Sequence, residues 1–145
     1  MIRVSVQSEP FDLGTEAARL VGSEVGAVVT FSGLVRDVSG GLQHMEIEHY
    51  PAMTERAITT IVEDAARRWS LAHAVVIHRY GALRPGDQIM MVATAARHRV
   101  DAFQAAEFLM DYLKSRAPFW KKEVTLEGAD WVAARPDDEE ALNRW

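Results

Sequence analysis

The chain predicts an α+β fold: one domain over residues 1–145, with a mixed, mostly antiparallel sheet packed by two long helices. Three observations lead there. Residues 2–7 and 43–50 alternate apolar and polar side chains with the period of a half-buried strand. Residues 53–69 and 100–113 repeat apolar side chains at three- and four-residue steps, the stripe of an amphipathic helix. Strands and helices alternate irregularly between tight turns, with no internal repeat and no low-complexity linker.

In chain order, Ile2, Val4 and Val6 define the first strand. Asp12 is a candidate N-cap for a short helix whose apolar side is Leu13, Ala17, Leu20 and Val21. Residues 26–35 are mostly apolar and β-branched and predict a well-buried strand. Phe31 and Gly33 share one face, Ser32 and Leu34 the other. Residues 38–41 (V-S-G-G) predict a flexible turn into a paired strand over 43–50. Pro51 then opens a long helix with a stripe of Met53, Ala57, Ile61, Ala65 and Trp69, widened by Ile58 and Val62. Residues 74–80 read as strand. Residues 84–87 (R-P-G-D) carry Pro and Gly at the centre of a type II turn.

Residues 88–96 form an apolar strand running straight into the second long helix. Its stripe is Val100, Phe103, Ala106, Met110 and Leu113, with Leu109 beside it. Pro118 ends this helix and pushes Ala117 out of the helical region. Strand resumes at 120–126, Gly128 allows a turn, and residues 131–135 suggest a last short strand. Pro136 and the acidic run behind it open either a short terminal helix or a loose tail.

Composition removes several kinds of chemistry. With no cysteine, the chain has no disulfide, thiolate nucleophile or cysteine-held metal or persulfide, so any sulfur chemistry needs sulfur carried by a partner. A net charge of −5 argues against a general nucleic-acid binder. No apolar run approaches the roughly 18–20 residues that span a bilayer, and the N-terminus is too short and polar for a signal peptide. A cytoplasmic location is the default expectation. His44, His49, His73, His78 and His98 show no metal-ligand spacing and read mostly as structural or surface residues. No dinucleotide fingerprint, P-loop or nucleophile elbow is present, so neither cofactor nor metal is expected.

Charge is unevenly placed around the second long helix. Arg97, His98 and Arg99 crowd its start, where the macrodipole disfavours cations, which suggests anion binding. Lys114, Arg116, Lys121 and Lys122 gather around Pro118; a solvated basic rim on a surface helix is the plainer reading, and a pocket the sharper one. Arg36, beside the glycine loop, suits an anion or a salt bridge to the neighbouring Asp. At 1.5 Å per residue, Arg99 and Lys114 lie roughly 22 Å apart along the helix. They serve two sites, or one site assembled from two copies of the chain, or are unrelated surface patches.

Taken together, the motifs resemble the large, catalytic subunit family of molybdopterin synthase. The resemblance is carried by residues 26–36 (G-A-V-V-T-F-S-G-L-V-R), 48–53 (E-H-Y-P-A-M) and 78–81 (H-R-Y-G) with 85–87 (P-G-D). More specific are 96–99 (A-R-H-R) with Ala102-Phe103, 111–114 (D-Y-L-K) and 118–123 (P-F-W-K-K-E). It implies an α/β-hammerhead type of fold. The implied reaction is sulfur transfer to cyclic pyranopterin monophosphate, forming the dithiolene of molybdopterin. The sulfur donor would be the C-terminal Gly-Gly thiocarboxylate of a small ubiquitin-like partner. Two large subunits would form a homodimer within a heterotetramer, without nucleic acid or membrane. Carried onto this sequence, Lys114 and Lys121 are the catalytic pair. Leu34, Val35, Arg36, His98, Arg99, Lys122, Glu123 and Arg135 bind substrate or tail, and Phe31 and Met110 shape the pocket. Two alternatives stand beside this: a non-enzymatic dimeric adaptor docking a ubiquitin-like tail, and a phosphate-metabolite binding protein.

Overall fold

A computed structural model describes residues 1–38, 41–133 and 135–145. Its strands are β1 (Ile2–Gln7), β2 (Ala27–Leu34), β3 (Leu42–His49), β4 (His73–Arg79), β5 (Gly81–Leu83), β6 (Gln88–Ala96), β7 (Phe119–Thr125) and β8 (Gly128–Trp131). The long helices are α2 (Met53–Arg68) and α3 (Arg99–Arg116); α1 (Leu13–Ala18) and α4 (Pro136–Ala141) are short, and a 3-10 turn (Leu142–Arg144) ends the chain. The fold is α+β, but the strands form two four-stranded sheets rather than one. The first has the order β1-β4-β6-β2, with β1 parallel to β4 and the remaining pairs antiparallel. The second, β5-β3-β7-β8, is antiparallel throughout.

Strands β4 and β6 read as continuous apolar runs because both faces of the first sheet are covered. On one face Val76 and Val92 join Ile58, Val62, Phe108 and Leu109 from α2 and α3. On the other, Val75, Ile77, Met91 and Ala93 pack around Leu20, with Phe11 and Leu13 beside them. Asp12 caps α1 as expected, its Oδ1 accepting from the Thr15 N–H at 2.7 Å. The Arg84–Asp87 turn closes through Asp87 N–H to the Arg84 carbonyl, with Gly86 at φ +92°.

Several expectations are corrected. Strand β2 is an edge strand and half-exposed, not well buried, because only β6 pairs with it. β2 and β3 do not pair with each other; the connection crosses between sheets, and Ser39 and Gly40 within it lie outside the described residues. Strand β5 was not anticipated: Gly81, at φ +95°, reverses the chain after β4 so that three residues pair with β3. The last strand starts at Gly128 and stops at Trp131, short of Arg135. Pro136 does open a helix. The buried stripes are also rotated from the expected ones. In α2 the buried residues are Thr54, Ile58, Val62 and Ala65, with Met53 exposed. In α3 they are Ala102, Ala105, Ala106, Phe108, Leu109 and Leu113, while Val100 and Phe103 are 57% and 61% exposed.

The C-terminal segment crosses α3 and is held at both ends. Arg116 makes a two-pronged ion pair with Glu139 (2.8 and 3.0 Å), and Ser115 Oγ donates to the Asp138 carbonyl. At the terminus Trp145 packs edge-on against Trp69 and Phe108 and donates its indole N–H to Asp111 at 2.6 Å. Among the described residues, no helix is long and apolar enough to cross a membrane.

Candidate active site

The site begins at the corner between α3 and β7. Ala117 is extended (φ −77°, ψ 128°), as the following proline requires, so the chain leaves α3 and re-enters a sheet within three residues. Thr54 braces this corner, accepting from the Tyr50 N–H and donating to the Pro118 carbonyl. The reversal brings Lys114, near the end of α3, and Lys121, third residue of β7, to one cavity of about 400 Å³. Met90, Met110 and Leu113 supply apolar wall, Phe119 and Trp131 aromatic wall, and Arg135 and Asp138 the rim from the C-terminal segment.

Charge in this cavity is strongly one-sided. Among the described lining residues Lys114, Lys121 and Arg135 meet one carboxylate, Asp138, and Arg135 also reaches Asp137, outside the lining, at 3.8 Å. Burial, and next the charge of Lys114, push the Lys121 ammonium down to about 8; Asp138 opposes the shift. His78 lies on the floor, 4% exposed, with its imidazole stacked on Phe119 at 3.7 Å between centroids and 16° between planes. Its Nδ1 is 2.8 Å from the Arg79 carbonyl oxygen. A carbonyl only accepts, so the ring proton sits on Nδ1. Burial first, then Lys121, Lys114 and His49, lower the His78 pKa to about 3, and the ring is neutral.

Four of the residues singled out from the sequence thus converge: Lys114, Lys121, Met110 and Arg135. The others lie elsewhere. Lys122 reaches toward Glu46 at 3.6 Å and lies over the Trp131 ring. Glu123 pairs with Met45 and Asp130 between β3 and β8 and does not line the cavity. Val35 is a core residue, 3% exposed, with its N–H and carbonyl taken by Asp87 and Gly86, so it can shape a site but not touch a ligand. Leu34 and Phe31 are exposed on β2, and Arg36 follows them in the connection to β3; among the described residues Arg36 makes no ion pair, and Asp37 instead accepts from the Val38 and Leu42 N–H groups.

His98 and Arg99 are exposed at the opposite end of α3, which runs unbroken between them and Lys114. Arg97 is held by Glu24 at 2.6 Å. Sequence reasoning missed His78, Phe119, Trp131 and Asp138 as cavity residues. The signal for His78 was its parity with core Val76 along β4. Among the described residues no cluster of His, Asp or Glu could hold a metal.

The family model described as MoaE protein matches residues 6–116. The chain belongs to the MoaE protein family. The MoaE match ends at the last residue of α3, but relatives extend across the rest of the cavity. A molybdopterin synthase catalytic subunit from Cereibacter sphaeroides is 66% identical over 146 residues, covering 99% of this chain and 100% of the relative. Among solved structures, the molybdopterin biosynthesis MoaE protein from Burkholderia ambifaria superposes with a TM-score of 0.86 at 50% identity, covering 100% of this chain and 98% of that one. Molybdopterin synthase from Staphylococcus aureus gives a TM-score of 0.84 at 28% identity, covering 89% of this chain and 96% of that one.

Proposed function

We propose that this chain is the catalytic subunit of a molybdopterin synthase, acting in molybdenum cofactor biosynthesis in the cytoplasm as a single domain over residues 1–145. The observation that carries the reading is the convergence of Lys114 and Lys121 in one cavity from opposite sides of the Pro118 corner. Full-length likeness to curated catalytic subunits supports it. The sulfur comes from the C-terminal Gly-Gly thiocarboxylate of a small ubiquitin-like partner, because the chain has no cysteine of its own. The acceptor is cyclic pyranopterin monophosphate.

The tail enters the cavity with its thiocarboxylate between Lys114 and Lys121, and Arg135 adds attraction at the mouth. The thiocarboxylate sulfur adds to a carbonyl carbon of the substrate as that C=O π bond opens to a hydroxyl. The hydroxyl leaves as water with a proton from the adjacent carbon, while the sulfur stays attached to the tail's acyl carbon. Water then adds to the tail's acyl carbonyl, and the acyl–sulfur bond breaks, leaving sulfur on the pterin and a carboxylate on the tail. The two lysines stabilise the anionic tetrahedral intermediate in the second step. With a pKa of about 8, roughly a tenth of Lys121 is free amine at pH 7, enough to relay a proton. His98 and Arg99 hold the pterin phosphate of the site on a second copy; the exposed Val100 and Phe103 beside them give that copy an apolar face to meet. Arg36, Leu34 and Phe31 extend the binding surface, and Lys122, beside Glu46 and the Trp131 ring, and Glu123 adjoin it on β7.

The test is direct. Thiocarboxylated small subunit and pterin precursor are added to the protein, and dithiolene product is sought by mass spectrometry. Product should form with the unmutated chain, fall below detection with Lys114→Ala, and form slowly with Lys121→Ala. Turnover by the Lys114 variant near the unmutated rate, with partner saturating, would remove this lysine from the mechanism.

A further inference from the structure

The cavity contains one group that the sulfur-transfer scheme leaves idle. Lys114, Lys121 and Arg135 present donors, and they suit a guest made of acceptors. His78 differs. Its Nδ1–H is committed to the Arg79 carbonyl, so Nε2 carries only a lone pair. The residue is 4% exposed, lines the cavity, and has no hydrogen bond to Nε2 among the described residues. Among the described residues the only fully buried side-chain nitrogen or oxygen without a partner is His49 Nδ1, so the His78 Nε2 lone pair opens on the cavity, where a guest that supplies a donor can use it.

Geometry narrows what that donor belongs to. The imidazole cannot swing to find another partner, because it is stacked on Phe119 and pinned at Nδ1. Phe119 and Lys121 are two residues apart on β7 and share its face, so the His78 ring lies beside Lys121. A fitting guest therefore carries an anionic end for the lysines and an N–H close behind it. Met90, Met110 and Leu113 bound the same space with apolar atoms and offer nothing to a polar side chain. The terminal residue of a peptide meets all three demands when that residue is glycine: an anionic C-terminus, the amide N–H of the same residue, and no side chain.

We propose that His78 is a binding residue of this site, its Nε2 accepting a hydrogen bond from the last peptide N–H of the glycine-ended tail that enters the cavity. This deepens the function proposed above and rests on it. The neutral ring suits the task, since a protonated imidazole would present a second N–H to the tail's N–H. With the His78 pKa lowered to about 3, and with Lys114, Lys121, Arg135, Asp138 and His49 as its charged or titratable neighbours, the ring is a neutral acceptor at pH 7.

The experiment removes each half of the bond in turn. The partner subunit is prepared with a free Gly-Gly carboxylate, and by semisynthesis with its last glycine replaced by sarcosine, which lacks the N–H. A third form ends before the Gly-Gly. Affinities for the unmutated protein and for His78→Phe, which keeps an aromatic ring against Phe119, are measured by calorimetry. The sarcosine form should bind the unmutated protein about tenfold more weakly than the glycine form. His78→Phe should lose about as much toward the glycine form and discriminate little between the two. Equal affinity of glycine and sarcosine forms for the unmutated protein would overturn the role of His78 while leaving tail binding intact, and it needs no mutant to fold. Full discrimination retained by His78→Phe would assign the N–H to another acceptor and also overturn it. Identical binding of all three forms would remove the tail channel, and the functional reading with it. Tail-independent binding of the pterin precursor that weakens in His78→Phe, with no sarcosine effect, would give the acceptor to the pterin instead.

Discussion

A half-buried lysine beside a second lysine suffers two effects of the same sign. Leaving water disfavours the Lys121 ammonium, and so does the Lys114 charge. The unfolded chain keeps Lys121 protonated up to about 10.5, the folded chain only to about 8. Between those values the unfolded state holds the extra proton, so stability rises with pH through this window, and below pH 8 the penalty is fully present. Lys121→Met should therefore stabilise the fold at pH 7, on the order of 1–2 kcal/mol after allowing for solvent screening, while slowing turnover. Urea unfolding at pH 7 and above pH 10 checks this, since the advantage must shrink at the higher pH; equal midpoints for both proteins at pH 7 would refute the penalty. Removing the neighbouring charge in Lys114→Ala should raise the Lys121 pKa, as read from NMR titration of the lysine ε-carbons. The cluster of cations around Pro118 was legible from the sequence, but it read more plainly as a solvated rim, and only the family resemblance singled out Lys114 and Lys121. His78 was not: its parity with core Val76 marks it as buried, but nothing in the sequence says that it is stacked on Phe119 at the wall of a cavity.

Among the elements, strand and helix limits were the most legible, and the pairing of strands the least. Strand β6 fell on the predicted residues, and the end of α3 was set by Pro118. The rotated stripe of α3 has a plain cause. The helix is rich in alanine and carries apolar residues on two adjoining faces, and periodicity alone cannot tell which of them meets the sheet. The face with Ala102, Ala105 and Ala106 does, because small side chains let the helix approach β2 and β6 closely. The other, with Val100 and Phe103, remains outside. The two sheets could not be foreseen because nothing in the connection after β2 marks a change of sheet. Where β2 begins, tolerance is narrow. A Cβ on Gly26 would lie 2.2 Å from the Arg97 carbonyl oxygen, a backbone atom that cannot yield without moving the entry to α3. Gly26→Ala should destabilise by about 2–4 kcal/mol and shift the His98–Arg99 turn. Thermal unfolding gives the loss, and a melting temperature within a degree of the unmutated protein would show that the two segments have more freedom than their contact allows.

At the scale of the whole molecule, the length of α3 decides how a complete site can be built. The helix is continuous from Arg99 to Arg116, so Arg99 and Lys114 are held roughly 22 Å apart. A pterin phosphate cannot touch both within one chain. Two copies related by a two-fold axis can each contribute one end of α3 to the other's cavity, which yields two equivalent sites. Arg99→Ala and Lys114→Ala homodimers should then each be severely impaired, since every site carries one lesion. In a heterodimer of the two variants both lesions fall in the same site, and the other site is unmutated. Activity should return to about half the unmutated value per heterodimer, provided the sites act independently. Differently tagged chains, tandem purification and a check against subunit re-exchange isolate that species. If Arg99 and Lys114 served a site within one chain, both sites of the heterodimer would still carry a lesion. An intact but inactive heterodimer would therefore separate the two ends of α3 into unrelated functions and remove His98 and Arg99 from the lysine site.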